Sequence, residues 1–127
     1  MIKVGNVKKQ VSCVKKVLAV IATVATVMMM SRDAFAATYV DASGNVYNLY
    51  RYSSYAVAET IGNDAGWYCA VTVTAFNGNV GNSNVGYGYA YAGANATAPS
   101  SNCTSSTSTH NASKNGIHYT RTLRDGI

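Results

Sequence analysis

Charge is scarce in this chain, at 12% of residues, and the side chains that usually do chemistry are scarcer still. Histidine occurs only at His110 and His118, eight apart with no third ligand at a standard spacing, which excludes a recognisable zinc motif. Both are expected as solvated surface groups. The carboxylates after Asp33 are Asp41, Glu59, Asp64 and Asp125, too scattered to suggest the facing pair of a glycosidase. The many serines lie in no Gly-x-Ser-x-Gly context that would pair a nucleophile with its base. The stretch from Gly78 to Gly88 contains no G-x-G-x-x-G and leads into no helix, so it does not read as a phosphate cradle. No enzymatic activity, cofactor or metal is therefore expected. Proline is nearly absent too, so little interrupts strand formation.

Long apolar runs are missing except one, from Val17 to Met30. At about 14 residues it is short for a membrane span, which needs roughly 20. It follows Lys3, Lys8, Lys9, Lys15 and Lys16 and precedes Ala34-Phe35-Ala36, the pattern of a signal peptide with an A-x-A cleavage site. Residues 1–36 are expected to form a cleavable signal helix, leaving residues 37–127 as one secreted, extracellular β domain. No lipidation box or sorting signal accompanies it, so a stable membrane anchor is not expected. Removing the leader also removes the formal +5 charge. Arg51, Lys114, Arg121 and Arg124 then balance the four remaining carboxylates. The basic footprint of a nucleic-acid binder is absent from the domain, and near-neutrality permits self-association.

Cys13 leaves with the leader, so Cys69 and Cys103 remain as a pair, and a disulfide is expected in an exported protein. Closing that loop would contribute on the order of 3 to 4 kcal/mol in the chain-entropy model.

The organising stretch runs from Trp67 to Ala98. Trp67, Cys69, Val71, Val73 and Ala75 share one parity, the period-two signature of a half-buried strand. After a Gly/Asn loop over residues 77–84, Val85, Tyr87, Tyr89 and Tyr91 alternate with Gly86, Gly88, Ala90 and Ala92. The small row would let another backbone, or a large group such as Trp67, approach closely. The tyrosine row either covers a core or forms an exposed contact surface. Before this hairpin, residues 37–41 look like a short strand. Residues 46–60 follow as a strand with a bulge near Ser53-Ser54, or end in a helix over 54–61, where Tyr55, Ala58 and Ile61 fall at helical spacing. The Ser/Thr run 104–109 is either a polar edge strand or a loop, and Ile117 to Leu123 alternates again. Short strands with turns between them indicate a small antiparallel β-sandwich or barrel.

The segment Asp64-Ala65-Gly66-Trp67-Tyr68-Cys69 resembles the tyrosine corner of immunoglobulin domains, but its tyrosine adjoins the cysteine instead of standing two before it, and no earlier cysteine can partner Cys69 inside the domain. In being short, exported, cleaved and rich in glycine, tyrosine and serine, the chain is similar to the lactococcin-type secreted bacteriocins. That resemblance implies an antimicrobial role and assigns no residue a part in it. The expected function is non-catalytic contact with a protein or a cell-envelope component, with Trp67, Tyr87, Tyr89 and Tyr91 as contact residues. The alternative is a structural protein that self-assembles through its Tyr/Gly/Ala strands.

Overall fold

A computed structural model describes residues 35–126. They form eight strands and one short 3-10 turn: β1 (Phe35–Val40), β2 (Val46–Arg51), β3 (Tyr55–Ile61), β4 (Tyr68–Asn77), β5 (Val80–Tyr89), β6 (Tyr91–Thr97), the turn Pro99–Ser101, β7 (Ser105–Lys114) and β8 (Ile117–Gly126). The expected signal helix lies outside the described residues except at its last two positions, which open β1 opposite Arg51 and Tyr50. All neighbouring strands are antiparallel, in two sheets ordered β1-β2-β3-β6 and β5-β4-β7-β8. Buried side chains from both sheets make one core, in a sandwich-like architecture. Residues 54–61 contribute a strand and no helix, and the expected bulge at Ser53-Ser54 is a turn in which the Tyr52 amide donates to the Tyr55 carbonyl.

β4 carries the strongest alternation and lies between β5 and β7. Its odd residues Cys69, Val71, Val73 and Ala75 are buried, and its even residues face outward. Bulk on the opposite wall comes from Tyr47 and Leu49 of β2, both fully buried. The β7 wall is correspondingly thin: Ser106, Ser108 and Ala112 face inward around a single large group, His110. The Ser/Thr run is thus an interior strand between β4 and β8, neither an edge nor a loop. Small hydroxylated residues suit that place because Tyr47 and Leu49 of the facing sheet already fill the gap.

The hairpin is tighter than expected. Asn77 pairs with Val80 across Gly78 and Asn79, with Gly78 at φ +62°, so residues 80–84 belong to β5. A left-handed glycine permits such a two-residue turn. Residues 82–84 hold as a strand because Asn82 and Asn84 donate side-chain amides to the Thr97 and Asn95 carbonyls, covering the open edge of β6.

At Ala90, in the left-handed region at φ +66°, the chain crosses from the second sheet to the first. The Ala90 amide donates to the Trp67 carbonyl, and its own carbonyl accepts from Gly62. β5 folds down on β6 so closely that a Cβ on Gly86 would collide with the Gly93 carbonyl, and one on Gly88 would lie 2.7 Å from the Tyr91 carbonyl oxygen. The small row is used for close backbone approach, here by the chain's own next strand.

The expected disulfide does not form: Cys69 and Cys103 are both buried free thiols. Cys69 begins the inward row of β4, whereas the Thr104 amide beside Cys103 donates to the Phe76 carbonyl at the other end of that strand. Seven steps along the strand separate those points, roughly 24 Å at about 3.4 Å per residue. A disulfide needs Cα atoms within about 7 Å. Burial pushes the Cys69 thiol up to about 11, which leaves it unreactive.

Two outcomes check this description. Gly86→Ala should lower stability by about 1–3 kcal/mol through overpacking against backbone, whereas Gly78→Ala, with open space around it, should cost only the left-handed penalty of about 1 kcal/mol; urea midpoints compare them. In denaturant without reductant, Cys69 and Cys103 should both react with a thiol reagent, and adding reductant should leave the thermal midpoint unchanged.

Candidate functional site

The outer face of the β5-β4-β7-β8 sheet is built by the parity that builds the core. With Cys69, Val71 and Val73 turned inward, Tyr68, Ala70 and Thr72 turn outward, and strand pairing aligns their neighbours in rows. The first row runs Tyr89, Tyr68, Ser113, His118; the second runs Tyr87, Ala70, Asn111, Thr120. Tyr87 and Tyr89 are 66% and 70% exposed, and Tyr68 is 41% exposed. The Tyr68 and Tyr89 rings meet edge to face, with centroids 5.2 Å apart.

At this end of the sheet Tyr68 and Tyr89 bound an open depression of about 520 Å³, closed on the far side by Ser113, Lys114, Ile117 and His118. The turn at Asn115-Gly116 supplies its rim, both residues in the left-handed region. Lys114 contributes little net charge, because its Nζ lies 2.6 Å from Asp64 Oδ2. Burial opposes ionisation of Asp64, but hydrogen bonds from Lys114 and the Gly66 amide outweigh it and hold the carboxyl below its ordinary range. Across the face, Thr120 donates to Asn111 Oδ1 at 2.9 Å, and His118 Nε2 lies 3.1 Å from Thr120 Oγ1.

The four sequence-predicted contact residues part company. Tyr87 and Tyr89 lie together on this face. Trp67 does not: it is 4% exposed, beneath Tyr119 at 5.9 Å between centroids and with Lys114 Nζ 6.0 Å from its ring. A large apolar ring just before an inward strand is drawn into the core it can help fill. Tyr91 belongs to the other sheet, where its hydroxyl donates to Glu59 Oε2 at 3.2 Å. Glu59 is fully buried there, and burial raises its pKa against the opposing hydrogen bonds from Asn48 and Tyr91. Sequence reasoning did not single out Tyr68, Asn111 or His118 as contact residues. Tyr68 was visible on the parity opposite Cys69, but its pairing with Tyr89 follows only from a two-residue turn.

His110, expected at the surface, is fully buried and stacked on Tyr47 with centroids 5.2 Å apart. Thr60 Oγ1 donates to the Ala70 carbonyl, so it accepts from His110 Nδ1; Nε2 then accepts from the Ser108 hydroxyl at 2.6 Å. Both ring nitrogens are satisfied in one neutral tautomer, and burial lowers the pKa to about 4. Asp41 anchors the neighbouring Tyr47 hydroxyl at 2.5 Å. Burial works against the Asp41 charge, but hydrogen bonds from Tyr47, Asn45 and Ser43 hold its carboxyl below the ordinary range. This network is sealed from solvent and supports the core.

Among the described residues no group of three or more His, Cys, Asp or Glu side chains is placed to hold a metal ion, and no helix is long and apolar enough to cross a membrane. The fold and this face define an all-β, two-sheet domain with an aromatic and hydroxylated outer surface. Comparison with protein-family models, curated proteins and solved structures finds no match.

The buried histidine makes stability depend on pH with a definite sign. Unfolded, His110 titrates near 6.5; folded, only near 4. The unfolded chain binds more protons between those values, so the contribution is complete above about pH 6.5 and is lost as pH falls toward 4. Glu59, whose pKa is raised above 4.5, acts in the opposite direction as pH rises. Comparison with His110→Gln cancels the Glu59 contribution. Between about pH 7 and pH 4 the native protein should lose roughly 3 kcal/mol more than the variant, read from urea midpoints.

Proposed function

We propose that this chain is a secreted, non-catalytic interaction domain, bacteriocin-like or directed at a cell envelope or host, that works by contact through the outer face of β5-β4-β7-β8. The observation that carries the reading is the gathering of three exposed tyrosines, Tyr68, Tyr87 and Tyr89, at one side of that face. Tyrosine supplies rigid, amphipathic contact area at low conformational cost. The domain's carboxylates are engaged elsewhere: Asp41 with Tyr47, Glu59 beneath Tyr91, Asp64 with Lys114, and Asp125 with Arg51 at 3.1 Å. His110 is sealed, which favours contact over catalysis.

Self-assembly through Tyr/Gly/Ala strands is the competing reading and has less support. Gly86 and Gly88 pack on β6, and Ala92 and Ala96 lie in the core, so the small row is taken up within one molecule. Sedimentation separates the two, since a stable monomer at low concentration speaks against the polymer.

The double substitution Tyr87→Ala, Tyr89→Ala tests the contact role. Both side chains are exposed, so beyond the loss of the Tyr68–Tyr89 ring contact, worth about 0.5–1.5 kcal/mol, stability should change by no more than about 0.5 kcal/mol per site. Adhesion of the labelled protein to intact cells or isolated envelopes should be lost, together with any growth inhibition. Unchanged adhesion by the folded variant would remove this face from the function.

A further inference from the structure

Resting on that contact reading, we infer that the outer face of β5-β4-β7-β8 is a binding platform for a neutral polysaccharide, seated between the tyrosine side and the Asn111–Thr120 row. The face is about 14 Å across four strands, with successive rows about 7 Å apart. Its apolar and polar parts are arranged unlike a protein–protein interface, which places an apolar core inside a polar rim. Here the aromatic groups gather at one side, Tyr87 and Tyr89 on the outermost strand with Tyr68 beside Tyr89 on β4, and further along the face the middle strands present Thr72, Thr109 and Asn111. A polyol ring fits that division. Its C–H face stacks on an exposed aromatic ring, while its hydroxyls need donors and acceptors beside it.

Those groups are already oriented. Thr120 donates to Asn111 Oδ1, which fixes the amide plane and leaves the Asn111 Nδ2 hydrogens without a partner among the described residues. Thr120 Oγ1 in turn lies beside His118 Nε2, so the row is held before a ligand arrives. The edge-to-face Tyr68–Tyr89 pair makes a rigid corner at the mouth of the 520 Å³ depression, large enough for a sugar unit at the end of a chain. Charge selects among polymers. Lys114 is neutralised by Asp64, and among the described residues the next cation along this face, Arg124, lies two rows beyond Thr120 on β8. No lysine or arginine stands in the first two rows to offer the cationic contacts that an anionic polymer such as a nucleic acid requires.

The test is retention of the purified protein on insoluble cellulose, chitin and starch, with cell adhesion measured in parallel. Retention on at least one polymer is expected, undiminished by about 0.5 M salt, because no ion pairing is involved. Tyr89→Ala and Asn111→Ala should each weaken retention by about tenfold with an unchanged circular dichroism spectrum, and Tyr89→Phe should retain binding. Failure to bind any neutral polymer, retention abolished by salt, or equal retention by the two alanine variants would overturn the inference. If cell adhesion depends on Tyr87 and Tyr89 but is destroyed by protease treatment of the cells, and no polymer binds, the partner is a protein: the glycan inference fails and the contact reading stands. If no tyrosine-dependent adhesion is found at all, both fail.

Discussion

The close approach of β5 to β6 is the constraint on which this molecule depends. Gly86 and Gly88 lie against carbonyls of the next strand with no space for a side chain, so their side of β5 can point only inward. Successive residues of a strand face opposite ways, and Tyr87 and Tyr89 are thereby directed to solvent. The same contact brings Asn82 and Asn84 to the Thr97 and Asn95 carbonyls, so one parity of β5 both closes the sandwich and satisfies an open sheet edge. An exposed aromatic surface is the consequence of an interior that admits only hydrogen at two positions.

The core is more polar than its size suggests. Tyr47, Thr60, Ser108 and His110 meet across the two sheets, with each nitrogen of the imidazole given one partner. A buried polar network is tolerable only when its members are satisfied, and here the satisfaction is local: Thr60 passes its proton to the Ala70 carbonyl and keeps a lone pair for the ring. With no cross-link between Cys69 and Cys103, stability rests on this packing and on the strand ladders. Burial of His110 explains how a Ser/Thr-rich strand can occupy an interior position, since a single large group completes a wall otherwise made of small ones.

Several features were legible in the residues themselves. Alternation over residues 67–76 put Trp67, Cys69, Val71, Val73 and Ala75 in one apolar row, and the Gly86/Gly88 row signalled the close approach of a backbone or a large group. The all-β class followed from such runs. Other features left no local mark. Ala90 adopts a left-handed conformation that alanine rarely takes, so the row of Tyr87, Tyr89 and Tyr91 read as continuous although its last member had moved to the other sheet. Reading residues 77–84 as a loop hid the pairing of Tyr68 with Tyr89. Counting cysteines paired a thiol near the start of β4 with one in the segment before β7 that lies beside the far end of β4.

From the sequence alone came the strand character of the chain and, within its clearest strand, which side chains share a face, because period-two alternation is a property of neighbouring residues. The tertiary structure decided which strands lie side by side, where the chain changes sheet, that Trp67 and His110 are interior, and that tyrosine, amide and hydroxyl groups form one surface. Those outcomes depend on backbone hydrogen bonds and close contacts between distant segments. Backbone groups are nearly the same in every residue, so their pairing is settled only when the whole sheet closes.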